Sequence, residues 1–174
     1  MANTKTTPDC TAEQWQTEAA AHMQPGPEHA PLRELAGTWD TTTKFWMAPG
    51  APPMESTGTS VNTMIFDRYL ASEFQSQEFA GHGWMGFDRT KDEYQSAWID
   101  NMGTSITLSH GKMLDGGRRL ELHAEAIDGH TRKPISYRMV TRYLSPDEHV
   151  WEMFTEHTGG PEQRVLEITY RRRS

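Results

Sequence analysis

The sequence is short of the aliphatic residues that usually fill a protein core. Leu, Ile, Val and Phe make up 25 of its 174 residues, and a share below roughly 20% combined with a high net charge is typical of disordered chains. The net charge is only −7, however, and 10 Met, 6 Trp and 5 Tyr stand in for the missing aliphatic residues. Because Trp and Tyr bury large areas and Met fills irregular gaps, we expect one folded domain with an aromatic, sulfur-rich and partly polar interior.

Other shortages exclude whole classes of protein. The single cysteine, Cys10, cannot form an internal disulfide. With 17 basic against 24 acidic side chains, the chain lacks the clustered positive charge that drives binding to nucleic acids. No segment has the apolar length of a signal peptide or of a membrane-spanning helix. These shortages predict a cytoplasmic protein that binds neither nucleic acid nor membrane.

The first 36 residues predict helices rather than strands. Thr11 and Gln14 have the spacing of a helix capping box, which predicts that a helix begins there. Pro25 and Pro27 end this helix because proline lacks an amide hydrogen. The predicted organisation is a disordered leader at 1–10, a helical segment at 11–36 and a β-barrel domain at 37–174.

From Gly37 onward, short segments rich in β-branched and aromatic residues alternate with turn residues, which is typical of an antiparallel all-β fold. The predicted strands are Gly37–Trp46, Thr57–Phe66, Arg68–Gln75, Gly81–Phe87, Glu93–Ile99, Thr104–Lys112, Arg118–Ile127, Ile135–Leu144, His149–His157 and Gln163–Arg171. A sheet of ten strands tends to close on itself, because closure removes its exposed edges. We therefore predict an up-and-down β-barrel of about ten strands with one or two N-terminal helices near one mouth. A two-sheet sandwich is the alternative.

Alternation along each strand assigns its side chains to two faces. In Arg118–Ile127 the aliphatic residues share one face, so His123 on the other face is predicted to point outward. Glu93–Ile99 is mixed, since Tyr94 and Trp98 share a face with Ser96 and, just beyond the strand, with Asp100. Such a strand suits a barrel lumen in which aromatic rings alternate with hydrogen-bonding groups, as in ligand cavities.

Two irregular segments carry separate expectations. One predicted strand contains three glycines, Gly81, Gly83 and Gly86, and therefore has few side chains. This indicates a bulge, a sharp bend or the close approach of another group. The connection from Met47 to Met54 contains three prolines. It is either a stiff connector or a lid that brings a methionine to a ligand.

The chemistry-bearing residues favour binding over catalysis. Eight histidines are present, but their spacing matches no common metal motif, so we expect no metal and no cofactor. The leading hypothesis is a lumen that binds a small apolar or aromatic molecule, with a solid aromatic core as the alternative. The candidate binding residues are Trp39, Arg68, Trp84, Tyr94, Trp98, Asp100, Tyr137 and Met139.

Two other functions stay open. The chain could be a cofactor-independent isomerase, hydrolase or cyclase that uses Asp100, Glu73 and His82 as acid and base groups in the barrel, because desolvation would bring a carboxyl pKa towards neutrality. An assembly role would instead predict an oligomer, such as a homodimer, with Trp and Met on the outside of the barrel.

Several motifs resemble those of the family catalogued as domain of unknown function 1579 (DUF1579). They are Leu35–Trp39, Ser56–Thr59, Asp67–Leu70, Gly83–Asp88, Trp98–Thr104 and Leu166–Arg172. The resemblance implies a lipocalin-like, or calycin-like, barrel and implies no activity, since the family has none settled. It marks Gly37, Trp39, Arg68, Glu73, Gly86, Asp88, Trp98 and Asp100 for attention.

Overall fold

The structure is a computed structural model that describes residues 11–129, 131–156 and 161–174. Within these residues, ten antiparallel strands follow one another as a meander, and the last strand pairs with the first to close a barrel. Closure confirms the predicted up-and-down barrel and decides against the two-sheet sandwich. The predicted disordered leader, with Cys10 in it, lies outside the described residues.

The strands match the predicted ones to within a few residues. In chain order they are β1 (Gly37–Phe45), β2 (Met54–Ile65), β3 (Tyr69–Ser76), β4 (Ala80–Asp88), β5 (Glu93–Asp100), β6 (Thr107–Leu114), β7 (Arg119–Ile127), β8 (Pro134–Ser145), β9 (Glu148–Glu156) and β10 (Gln163–Arg172). Two helices, α1 (Ala12–His22) and α2 (Ala30–Leu35), precede them. The predicted end of the ninth strand, His157, lies outside the described residues.

Two strands begin three residues away from the predicted start, while the other strands begin within one residue of it. β2 starts at Met54 because its pairing with β1 continues to the end of that strand, where Met54 lies opposite Phe45. The proline-rich connection is therefore shorter, and its possible action as a lid stays a prediction. β6 starts only at Thr107, because the Asp100 carboxylate accepts bonds from the two following loop amides and holds the chain in a turn.

The capping box at the start of α1 is confirmed. The Thr11 amide donates to Gln14 Oε1 at 2.8 Å, and the Gln14 amide donates to Thr11 Oγ1 at 3.3 Å. These reciprocal bonds satisfy amides that the first helical turn leaves free. The large apolar side chains of this segment, Trp15 and Met23, are exposed. They therefore add little to the core of the barrel.

Helix α2 fills one end of the barrel, which we call the closed end. Leu32 and Leu35 of this helix are buried against Leu70, Leu120 and Leu122 of the barrel wall. This cluster contains five of the nine leucines of the chain, so the buried leucines are concentrated where the helix meets the strands. The opposite end, where β1 ends and β2 begins, we call the open end.

An arginine of the last strand connects helix α2 to the barrel at the closed end. Arg172 Nη1 donates to the Ala36 carbonyl at 2.8 Å, and Nη2 donates to the Glu34 carbonyl at 2.6 Å. Its guanidinium lies 4.1 Å from the ring centre of Trp39, whose indole N–H donates to the Leu35 carbonyl. Arg172 and Trp39 therefore cap the carbonyl end of α2 and fix it to the barrel.

Candidate functional site

Helix α2 and the buried side chains that hold it, Tyr94 and Trp39 among them, form what we call the plug. Beyond the plug, the lumen changes from aliphatic to small, hydroxylated and aromatic side chains. The small and hydroxylated residues are Thr41, Ser60, Gly81, Gly83, Ser96, Ser109 and Thr155, and the aromatic residues are Phe74, Trp98, Tyr137 and Trp151. This mixture agrees with the predicted mixed-polarity interior. Ser96 and Ser109 share a hydrogen bond of 2.6 Å between adjacent strands.

Trp98 lies flat on two glycines of the neighbouring strand. A Cβ atom at Gly81 would overlap the indole and lie 2.8 Å from its Cε2, and one at Gly83 would lie 2.6 Å from its Cε3. The Phe79 ring is nearly parallel to the indole, with centroids 6.4 Å apart. The predicted close approach of another group to this thin strand is confirmed, and the group is an aromatic ring of the lumen.

The Asp100 carboxylate lies at the open end and is bound on both oxygens. Oδ1 accepts the amides of Met102 and Gly103 at 2.9 and 3.1 Å, and Oδ2 accepts the indole N–H of Trp98 at 3.1 Å. These bonds hold the β5–β6 turn and orient the indole. Asp100 therefore acts in this structure as an anchor for the lumen wall.

The other two acid and base candidates lie outside the barrel. Glu73 and His82 are opposite each other on β3 and β4, and both are exposed. Their strand neighbours Phe74 and Gly81 face the lumen, so alternation turns Glu73 and His82 outward. The prediction that these groups meet Asp100 inside the barrel is wrong.

Trp84 and Arg68 also lie outside the lumen, contrary to the prediction. Trp84 is 47% exposed, because Gly83 faces inward and its neighbour must face outward. Arg68 lies in the β2–β3 turn and donates to the carbonyls of Phe66 and Met23 at 2.9 and 2.8 Å. These bonds direct the Arg68 guanidinium to the surface near the end of α1 and not into the barrel.

The remaining predicted binding residues divide between the plug and the lumen. Trp39 and Tyr94 belong to the plug, where the Tyr94 hydroxyl donates to the Glu28 carbonyl at 2.6 Å. Burial, with Glu28 nearby, raises the pKa of Tyr94 to about 12. Met139 packs against the plug from the lumen side, and Tyr137 lies next to the buried Thr155. Trp98, Tyr137 and Met139 are thus the predicted binding residues that face the lumen.

Three threonine hydroxyls in the wall have no hydrogen-bond partner among the described residues. They belong to Thr41 and Thr43 on β1 and to Thr155 on β9, two strands that flank β10. Thr41 and Thr155 are each only 3% exposed. A buried hydroxyl without a partner is unfavourable by about 1–3 kcal/mol, so these three hydroxyls keep unused hydrogen-bonding capacity in the wall.

Sequence patterns do not single out these threonines. Strand β9 has apolar and polar residues on both faces, so Thr155 and Trp151 could not be assigned to the lumen from alternation alone. The run Thr41–Thr43 predicts only a strand. Pairing with the oriented strands β8 and β10 is what turns Trp151 and Thr155 inward.

His149 is buried in an aromatic cluster at the closed end. Its ring stacks on Tyr170, with centroids 4.4 Å apart, and meets the Trp39 ring edge-on at 4.5 Å. Burial, together with the nearby Arg172 cation, lowers the pKa of His149 to about 4. The imidazole is therefore neutral at pH 7 and serves as an aromatic packing element.

This histidine predicts a loss of stability in acid. Since the unfolded chain binds the proton with a pKa of about 6.5 and the folded chain with one of about 4, acid favours unfolding. The free energy of unfolding is expected to fall by about 1 kcal/mol per pH unit between these values. Urea denaturation of the wild type and of His149→Phe over this range measures the effect. The variant should lose this part of the pH dependence, and an unchanged slope would contradict the assignment.

The described residues contain neither a metal-type cluster nor a membrane-type helix. No group of three or more His, Cys, Asp or Glu side chains among them is placed to hold a metal ion. None of the described helices has the length and hydropathy needed to cross a membrane.

A groove of about 970 Å³ lies outside the barrel on the β4–β6 side. Its floor includes Trp84, Gln95 and Leu108, and its wall comes from the segment 22–25 after α1. Trp84 and Arg68, which the sequence assigned to the lumen, both line this groove instead.

The fold and the lumen define a lipocalin-like barrel with one end closed by a helix. A family model described as a protein of unknown function (DUF1579) matches residues 24–172, and the chain belongs to this family. The family resemblance found in the sequence motifs is therefore confirmed.

Two solved structures share the fold. Rv2717c from M. tuberculosis has a TM-score of 0.62 at 15% identity, over 87% of this chain and 100% of its own. The S-type phycobiliprotein lyase CPES from Guillardia theta has a TM-score of 0.56 at 12% identity, over 86% of this chain and 99% of its own. No curated protein matches the sequence.

Proposed function

We propose that the protein binds a small apolar or aromatic molecule in the lumen between the plug and the open end. The observation that carries this proposal is the pair of buried hydroxyls, on Thr41 and Thr155, that have no hydrogen-bond partner among the described residues. They lie in a wall that otherwise offers aromatic rings and small side chains. Ligand cavities combine the same features, an apolar lining with a few polar groups that orient the ligand.

The aromatic side of the lumen supplies the apolar contacts. Trp98 is held flat by Gly81 and Gly83 and oriented by its bond to Asp100. A ring fixed in this way loses little conformational entropy when a planar molecule stacks on it. The ligand class that fits is therefore a molecule with an apolar or aromatic body and at least one hydrogen-bonding group.

Isosteric replacement of the threonines tests this function. In Thr155→Val the unpaired hydroxyl becomes a methyl group, so the ligand-free protein is expected to gain about 1 kcal/mol of stability. Binding of a fluorescent fatty acid or an anilinonaphthalene sulfonate, followed by energy transfer from tryptophan, is expected to weaken about 5- to 10-fold. Thr41→Val should behave in the same way.

The exposed Thr63 on the outer face of β2 provides the matched control. Thr63→Val removes a hydroxyl that water already solvates, and both stability and probe affinity should stay near the wild-type values. If none of the probes binds the wild type, or if Thr155→Val binds as tightly as the wild type, the lumen is not the binding site.

A further inference from the structure

The outer face of β3–β6 carries large apolar side chains that remain exposed, and Trp84 and Leu108 among them lie on the floor of the groove beside the segment 22–25. Ile106 and Leu108 are 64% and 66% exposed, and Tyr69, Trp84 and Ile99 are also exposed. Strand pairing places two of them, Trp84 and Leu108, in one row, since Leu108 lies opposite Ala97 and Ala97 lies opposite Trp84. Large exposed apolar side chains grouped on one face mark an interaction site.

The opposite side of the barrel, formed by β7–β10, is covered by charged side chains. The outer face of β7–β10 carries a lattice of ion pairs among Arg119, Arg138, Arg142, Arg164, Glu121, Glu152, Glu162 and Glu167. Arg138 and Arg164 also cover the rings of Phe154 and Trp46. The β3–β6 face has no comparable cover among its described residues.

One row of side chains across this face alternates in size. From β3 to β6 the row reads Ala71, Trp84, Ala97 and Leu108, each opposite the next. In order, these side chains are small, large, small and large. None of the four carries a charge, so contact along this row itself buries no unpaired ion. The next row on the same face contains Glu73 and His82, which lie opposite each other.

The alternation is complementary to itself. A two-fold axis parallel to the strands, between β4 and β5, reverses the row, so that each large side chain faces a small one. Trp84 of one copy then lies over Ala97 of the second copy, and Leu108 lies over Ala71. Symmetric dimers are built from such self-complementary patches, and a large side chain facing a small one fits the spacing of about 10 Å between packed sheets.

We propose that the β3–β6 face is the interface of a homodimer, with Trp84 as its central contact. The favoured occupant is a second copy because, when the row is reversed, each large side chain lies opposite a small one. Trp and Tyr dominate the binding energy of protein interfaces, and here Tyr69 lies beside Trp84, with its ring flat against Gly86. The interface lies on the outer surface, so ligand binding in the lumen does not depend on it.

Sedimentation equilibrium over a concentration series tests the interface in the full chain. The wild type is expected to sediment with twice the chain mass, and Trp84→Ala should raise the dimer dissociation constant by at least about 30-fold. Leu144→Ala removes an equally exposed side chain elsewhere on the barrel. This control should leave the dissociation constant unchanged.

Exchanging the large and small side chains at positions 84 and 97 distinguishes this specific packing from non-specific hydrophobic association. Ala97→Trp adds apolar surface but places two tryptophans face to face, so it should break the dimer. Adding Trp84→Ala to that variant restores a small residue opposite a large one, and dimerisation should return. Circular dichroism melts check that each variant is folded. A monomeric wild type, or an Ala97→Trp variant that dimerises like the wild type, would overturn the proposal.

Discussion

Replacing Gly111 with alanine is expected to remove most of the stability of the barrel. A Cβ atom at this position would overlap the carbonyl oxygen of Glu121 on β7 and lie 2.9 Å from the Cα of Leu122. Both obstacles are backbone atoms of a paired strand, so no side-chain rotation can relieve the overlap. β6 and β7 would have to separate, at the point where Leu122 packs against the plug.

The expected loss exceeds about 4 kcal/mol, beyond the usual 1–3 kcal/mol for overpacking a core. Because small domains are stable by only about 5–15 kcal/mol, Gly111→Ala should unfold at a much lower urea concentration than the wild type. Circular dichroism during urea denaturation measures the difference.

Two other glycines are controls for this substitution. Gly129 has no atom within 4 Å of an added Cβ and lies outside the positive-φ region, so Gly129→Ala should be neutral. Gly86→Ala would meet only the ring of the exposed Tyr69, which can rotate, so its effect should be intermediate. A Gly111→Ala protein as stable as Gly129→Ala would show that the strands are not as close as the structure has them.

The architecture was predictable from the sequence because its signals are local. Turn residues between β-rich segments give the strand number, and antiparallel order follows from short connections. The capping box at Thr11 and the inward aliphatic face of β7 are also local patterns. Each depends on residues within one strand or one helical turn.

In the strands with apolar and polar residues on both faces, the face that points into the lumen was not predictable, because neighbouring strands determine it. Nothing within β4 distinguishes the face of Trp84 from the face of Gly83. The choice is made by Trp98 on β5, whose ring fits only over glycine. That contact turns Trp84, His82 and, through pairing, Glu73 outward, and with them most of the site predicted from the sequence.

The inward-facing hydroxyls of Thr41 and Thr155 were not predictable from the sequence either. A threonine in a strand bonds to water on the outside of a barrel and to a neighbour or a ligand on the inside. Only the register of β9 between β8 and β10 shows that Thr155 faces inward. The sequence therefore predicts the wall of the lumen better than it predicts its polar groups.

Replacing Arg172 with methionine is expected to weaken the closed end strongly. The guanidinium donates to carbonyls of Glu34 and Ala36 and to that of Pro146 in the β8–β9 turn. It therefore joins the end of α2 to the β8–β9 turn while stacking on Trp39. Methionine keeps the apolar contact but leaves these carbonyls without a donor.

Hydrogen bonds to charged groups contribute about 1.5–3 kcal/mol each, so Arg172→Met should lose about 4 kcal/mol of unfolding free energy. Arg172→Lys should recover less than half of this, because an ammonium cannot reach all three carbonyls from one position. The adjacent Arg171 is the matched control, since it makes one exposed ion pair with Glu148 at 3.2 Å. Its substitution by methionine should change stability by less than about 0.5 kcal/mol. Urea denaturation of the three variants beside the wild type measures these differences, and equal losses for Arg171→Met and Arg172→Met would contradict the role of Arg172 at the closed end.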